Sequence, residues 1–223
     1  MSGVSLDCPL CGAAETRLFC SRGDAGLGPR DYFKCPACSL VFLSPEKHLG
    51  PVEEKKRYDS HRNDPADEGY VKFLNRLAEP LSLFLNPGAS GLDFGCGPGP
   101  AMSGLMRAKG FFMADYDPFY QPEASLLEST YDFITCTEVM EHLFMPGREF
   151  VLLDRLLRPG GLLGVMTGVL EDENAFENWW YPRDPTHVCF YQKKTFEWIA
   201  GWRGWQADFP APNVVIFKKP KAK

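Results

Sequence analysis

The chain lacks any apolar run long enough to cross a bilayer, so no membrane partner is expected. Its first residues, Met1 to Asp7, carry neither a basic n-region nor an apolar h-region, and a cytoplasmic location without a secretory leader is expected. Without export, eight cysteines read as metal ligands or free thiols rather than disulfides. There is no basic excess: 24 Lys and Arg stand against 29 Asp and Glu, a net charge of -5, which counts against a nucleic-acid partner. The one basic cluster, Lys218, Lys219, Lys221 and Lys223, reads as a solvated end. What is present is enough apolar mass for a core, 44% of 223 residues, and room for one catalytic domain with a small module. Nothing in the sequence fixes the oligomeric state.

Four of the cysteines fall in two near-copies of one turn, Cys8-Pro9-Leu10-Cys11-Gly12 and Cys35-Pro36-Ala37-Cys38-Ser39. Each Cys-x-x-Cys turn presents two thiolates, and two turns complete a tetrahedral site that suits structural zinc. The 23 residues between Cys11 and Cys35 slightly exceed the usual ribbon spacing. Short strands are expected around 16–20, 32–34 and 40–43. So few residues bury little surface, and metal is expected to hold the module together. Five basic and five acidic residues in positions 1–50 leave it neutral. Cys20, Cys96, Cys136 and Cys189 have no ligand spacing and read as small apolar fillers. The division that follows is a zinc ribbon over 1–46, a polar linker over 47–69 and a catalytic domain over 70–223. The linker holds a short exposed helix, 53–58. An amphipathic helix is expected over 70–85, with Pro80 kinking or splitting it.

In the larger domain, Leu92-Asp93-Phe94-Gly95-Cys96-Gly97-Pro98-Gly99 runs from an apolar strand end into alternating glycines and then a helix. Residues without Cβ let a strand-to-helix turn press its backbone against a ligand. Asp117 ends a second apolar segment 24 residues after Asp93, near the spacing at which an acid meets ribose hydroxyls. Tyr131-Asp132-Phe133-Ile134-Thr135-Cys136-Thr137-Glu138-Val139-Met140-Glu141-His142 and Leu156-Leu157-Arg158-Pro159-Gly160-Gly161-Leu162-Leu163-Gly164-Val165-Met166 follow. These four segments, in this order, resemble the class I S-adenosylmethionine-dependent methyltransferases. A dinucleotide fold fits less well, because the third glycine arrives one residue too early.

The resemblance implies a doubly wound, mostly parallel α/β sheet. Strands are expected at 90–94, 111–117, 131–135 and 162–167, helices at 100–109, 146–157 and 194–200, and a terminal strand pair at 205–209 and 214–218 that brings in an antiparallel strand. Only 14 residues separate Asp117 from Asp132, so the family's third strand is expected to be missing or rudimentary. The implied cofactor is S-adenosylmethionine, held by Asp93, Gly95, Cys96, Gly97, Gly99, Asp117, Pro118, Phe119, Thr137 and Glu138, with the adenine against Phe119 and Tyr120. Tyr58 and His61 would cover it as a lid, unless they belong to an exposed helix and loop.

Acceptor chemistry belongs after the third and fourth expected strands, at their carboxyl ends. Glu138, Glu141 and His142 would share one face of a helical turn. Their Glu-x-x-Glu-His pattern resembles ubiquinone-biosynthesis O-methyltransferases, where it implies a divalent metal beside the acceptor; a capped helix start is the alternative. His187, in Asp184-Pro185-Thr186-His187, is a candidate general base or a hydrogen-bonded structural histidine. Glu138 would orient the acceptor or the metal. Trp179, Trp180, Tyr181 and Tyr191 would line an acceptor pocket or pack as core. The activity expected is methyl transfer to a small-molecule hydroxyl. The alternatives are an RNA methyltransferase with the ribbon as reader, and a cofactor-binding regulatory protein without catalysis.

Overall fold

The computed structural model describes residues 6–24, 26–60, 64 and 66–222; His61 and Lys223 lie outside the described residues. Elements are numbered in chain order. The amino-terminal strands β1 (Arg17–Asp24), β2 (Gly28–Lys34) and β3 (Val41–Leu43) form an antiparallel meander between and after the two cysteine turns. Then come α1 (Pro51–Tyr58) and α2 (Glu68–Ser82). Asp67 caps α2 by accepting from the Tyr70 amide at 2.9 Å, and its apolar stripe buries Leu74, Leu77, Ala78 and Leu81. The expected split at Pro80 does not occur. Pro80 falls in the last turn, where few further backbone bonds are at stake, and the helix runs on to Ser82.

The larger sheet comprises β4 (Ser90–Phe94), β5 (Phe112–Tyr116), β6 (Tyr131–Thr137), β7 (Leu157–Met166), β9 (Gln206–Ala211) and β10 (Val214–Lys218). Its order is β5-β4-β6-β7-β10-β9. The first four strands run parallel, and β10 pairs antiparallel with both β7 and β9. Helices α3 (Ala101–Ala108) and α4 (Pro146–Leu156) follow β4 and β6. Helix α5 (Lys193–Arg203) ends at Gly204, whose φ of 68° makes the left-handed stop. Helices α2 and α3 cover one face of the sheet, and α4, α5 and the amino-terminal strands share the core on the other. This is the doubly wound, mostly parallel α/β fold that the motif order implies.

The shortened region is as expected. Between β5 and β6 there is only a bridge, Asp117 to Gln121, and a 3-10 turn, Ala124–Glu128. A parallel crossover needs about a dozen residues for a helix alone, so 14 cannot also hold a strand. Strand β5 is therefore a sheet edge.

The amino-terminal sheet does not end at β3. Strand β8 (Cys189–Phe190), from the larger domain, pairs with it: Val41 opposite Phe190 and Phe42 opposite Cys189. No helix among the described residues is long and apolar enough to cross a membrane.

Candidate active site

The glycine loop joins β4 to α3. Gly95 has φ 78°, and a Cβ there would lie 2.5 Å from Val139 Cγ2, so the loop is pressed against the segment after β6. Gly97 has φ 66°, and a Cβ there would meet nothing within 4 Å. Its open side is where a ligand can approach the backbone. The Asp117 carboxylate accepts from the amides of Gly97 (3.0 Å), Phe119 (2.8 Å) and Tyr120 (3.1 Å), tying this loop to the one after β5. Asp93 is buried and accepts from the Thr135 hydroxyl at 2.7 Å. Burial pushes its pKa up to about 7. Burial also pushes the Cys96 thiol up to about 12, which keeps it neutral. The Gly99 carbonyl accepts from Ala101 at 2.7 Å as α3 begins, and Pro118 carries the chain from Asp117 to Phe119. Thr137 ends β6 with a buried hydroxyl that has no hydrogen-bond partner among the described residues.

A polar cluster lies beside it at the carboxyl ends of β6 and β7. Glu138 has φ 53°, uncommon for a residue with a Cβ, and its amide donates to the Met166 carbonyl at 2.7 Å. The expected helical face of 138, 141 and 142 does not form. Only Met140–His142 make one 3-10 turn, and Glu138 precedes it in the left-handed region. The two carboxylates meet instead through Tyr181. Its hydroxyl contacts Glu141 Oε1 closely, lies 3.3 Å from Glu138 Oε2, and accepts from the Gly168 amide at 2.9 Å. The other Glu141 oxygen accepts from Thr167 Oγ1 at 2.7 Å. Burial, and then the neighbouring Glu141 charge, push Glu138 up to about 9.

Both histidines are oriented by backbone carbonyls. His142 Nδ1 lies 3.1 Å from the Thr186 carbonyl, and His187 Nδ1 lies 2.8 Å from that of Tyr181. A carbonyl only accepts, so each Nδ1 carries a hydrogen, and in a neutral ring Nε2 then carries the lone pair. The rings are 4.8 Å apart. Burial pushes His187 down to about 4, so it stays neutral. Ligand atoms of Glu141, His142 and His187 lie within 4.8 Å of one another. The sequence-expected trio substituted Glu138 for His187. Glu138 sits in its left-handed bend with its carboxylate on the Tyr181 hydroxyl, while the ring of His187 packs against that of His142.

Helix α1 covers this side and is not simply exposed. Its Arg57 pairs with Asp184 at 2.7 Å, and Tyr58 packs edge-on against both His142 (5.1 Å) and Phe119 (5.8 Å). The aromatic candidates separate. Tyr191 is core, stacked on Phe196 at 5.1 Å; Trp180 is exposed; Trp179 stacks on Tyr181 at 5.0 Å. Sequence reasoning missed Thr167 and Arg57 altogether. It named Tyr181 only as an aromatic wall, because its partners are about 40 residues away.

The four cysteines converge. Sγ atoms of Cys8 and Cys38, and of Cys11 and Cys35, are 3.5 Å apart, and one ligand atom from each of the four lies within 4.8 Å of the others. Both turns close alike, with Gly12 bonding back to the Cys8 carbonyl and Ser39 to the Cys35 carbonyl, each at 2.9 Å. Gly12 and Ser39 share a left-handed backbone, φ 75° and 62°. The hydrogen bond from Cys38 pushes the Cys8 thiol down to about 6, and burial pushes Cys11 up to about 12. The donor set and the crowding fit one soft tetrahedral ion.

A family profile described as a methyltransferase domain matches residues 58–208. No curated protein matches the chain. Among solved structures, the PH0226 protein of Pyrococcus horikoshii OT3 is similar at TM-score 0.51 and 16% identity, over 74% of this chain and 99% of that one. CalO1, a methyltransferase of calicheamicin biosynthesis solved in its SAH-bound form, aligns at TM-score 0.48 and 12% identity, over 68% of this chain. The alignment spans 55% of the CalO1 chain. An O-methyltransferase family protein from Burkholderia thailandensis aligns at TM-score 0.48 and 13% identity, over 76% of this chain and 64% of that one.

Proposed function

Because the chain belongs to the methyltransferase domain family, we propose that it moves the methyl group of S-adenosylmethionine to a hydroxyl of a small molecule. The observation that carries this reading is the adjacency of the open-sided glycine loop and the Glu138–Glu141–Tyr181–His187 cluster, both at the carboxyl ends of parallel strands. The open cradle at Gly97 and the Thr137 hydroxyl, which has no partner among the described residues, fit a cofactor there. When bound, S-adenosylmethionine supplies an electrophilic methyl on a sulfonium, and the protein supplies alignment. Asp117 holds the two cofactor loops together, and Phe119 and Tyr120 offer rings to the adenine. Gly95, Cys96, Gly99 and Pro118 complete the backbone cradle, and Asp93 supports it from below.

His187 accepts the acceptor's proton on Nε2, which is unprotonated at neutral pH. Glu138, protonated up to about pH 9, donates a hydrogen bond to the acceptor. A basicity as low as that of His187 is poorly matched to an ordinary hydroxyl. That mismatch favours a second arrangement, in which Glu141, His142 and His187 hold a divalent cation that supplies Lewis acidity to the acceptor oxygen. We read residues 1–46 as a ribbon that holds structural zinc on Cys8, Cys11, Cys35 and Cys38. Residues 47–69 are then a linker and 70–223 the methyltransferase domain.

A screen of phenols, catechols and aliphatic alcohols with radiolabelled cofactor tests the reaction class. On an acceptor so found, His187→Ala should cut turnover by roughly a hundredfold with unchanged cofactor affinity. Chelation with metal add-back separates the two arrangements. With the zinc content of the four cysteines shown by elemental analysis to be unchanged, only the cation-dependent one loses and regains activity with metal. Near-wild-type turnover by His187→Ala, across pH, removes His187 from both.

A further inference from the structure

Two arginines of the amino-terminal meander stand directly opposite each other, Arg22 across from Arg30 in the β1–β2 ladder. Like charges at that register destabilise a hairpin, and both side chains are buried, at 7% and 3% exposure. Their placement makes sense from what they hold. Arg22 Nη1 donates to the carbonyls of Phe176 (2.9 Å) and Trp179 (3.0 Å), and Arg30 Nη2 donates to that of Pro182. All three carbonyls belong to one irregular segment, the 3-10 turns Glu173–Asn178 and Tyr181–Arg183 with Trp179 and Trp180 between them. Such a segment has no ladder of its own to occupy its buried carbonyls. It is also the segment that carries Tyr181, which spans Glu138 and Glu141 with its hydroxyl and orients His187 with its carbonyl.

The rest of the meander grips the same segment. Lys34 pairs with Glu173 at 2.6 Å, and Phe176 is inserted between Phe19 and Tyr32. Beyond His187, the Leu43 amide donates to the Val188 carbonyl at 2.8 Å, and Gln192 Nε2 donates to the carbonyl of Ser39 in the second cysteine turn.

We propose that the amino-terminal cysteine module is a clamp on the acceptor side of the active site, with Arg22 and Arg30 as the positioning residues that set Tyr181 and, through it, His187. The reading of an acceptor side rests on the function proposed above; the clamp itself does not. The module's contacts fall on residues 173–192, in the half of the site where the acceptor would sit, and none of these contacts touches the glycine loop. The clamp thus controls geometry for the acceptor while leaving cofactor capture to the loops of β4 and β5. Both bonds from Arg22 to this segment come from one nitrogen, so a lysine ammonium can replace those two in kind.

The test uses the full chain as purified, with amide hydrogen exchange read peptide by peptide and S-adenosylhomocysteine as the calorimetric probe. In Arg22→Ala and Arg30→Ala, exchange over 173–187 should rise at least about tenfold, while peptides of β4, β6 and α3 keep wild-type protection. Affinity for S-adenosylhomocysteine should stay within about twofold of wild type. Arg22→Lys should restore protection of 173–187. Where an alanine variant does not fold, Arg22→Gln, which keeps a donor on a shorter stem, is read by the same pattern. Unchanged exchange over 173–187 overturns the clamp. So does loss of protection spread evenly through β6 and β7, or an Arg22→Lys variant no better than alanine. Failure of the wild-type chain to bind S-adenosylhomocysteine would instead refute the cofactor assignment and leave the exchange result to judge the clamp.

Discussion

Gly147, at the start of α4, lies directly beneath Leu10 of the first cysteine turn: a Cβ on Gly147 would sit 2.3 Å from the Leu10 carbonyl oxygen. The Gly147 amide also donates to the Pro9 carbonyl at 3.1 Å. The turn is seated on a helix of the larger domain by backbone contact that tolerates no side chain.

Gly147→Ala should therefore destabilise the protein by about 1–3 kcal/mol, the range for forcing an atom into a filled site. Its backbone is not in the left-handed region, so strain of conformation adds nothing. Differential scanning calorimetry should show a fall of roughly 3–10 °C in Tm. An unchanged Tm would mean that the turn moves off the helix freely.

Gly97→Val should abolish cofactor binding with a smaller effect on folding. The new side chain meets no protein atom, yet it fills the ligand's side of the loop and strains a φ of 66°. Asp117→Ala should act differently. It frees three amides that hold two loops together, and affinity should fall by about 1–3 kcal/mol. Titration calorimetry with S-adenosylhomocysteine reads both, and unchanged affinity in both would place the cofactor elsewhere.

Asp93 makes stability depend on pH. Unfolded, the carboxyl titrates near 3.8; folded, burial raises it to about 7. The native state thus binds a proton more tightly. The contribution is complete below 3.8 and is lost as pH rises through about 7. Asp93→Asn keeps an oxygen for the Thr135 hydroxyl and removes this slope. In cofactor-free protein, its stability relative to wild type should increase by about 2–3 kcal/mol between pH 5 and pH 8 in urea titrations. Parallel curves for the two proteins would show that Asp93 does not carry the proton.

Elemental analysis should find one zinc per chain, and Cys35→Ser should lower both metal content and Tm. A metal-free protein whose stability ignores Cys35→Ser would remove the ion and leave four crowded thiols.

Much of this was readable in the sequence because it is local. The glycine loop, the paired cysteine turns, and the apolar runs of β4, β6 and β7 each depend on neighbours within a few residues, so spacing alone reveals them. Even the absent third strand follows from counting 14 residues between Asp117 and Asp132.

Tertiary structure decided what lies between distant positions. Nothing near Tyr181 shows that its hydroxyl would join Glu138 to Glu141, and the left-handed bend at Glu138 is tied to β7 by the bond from its amide to the Met166 carbonyl. Nothing near Arg22 or Arg30 shows that their carbonyl partners lie about 150 residues further along the chain. The sequence by itself determined a methyltransferase-like sheet, its glycine loop and four converging thiols, since backbone geometry and ligand spacing are written in short motifs. Only the tertiary structure brought the cysteine module onto the segment that carries Tyr181 and His187. That docking arises from buried polar groups finding partners across the chain, which no local pattern encodes.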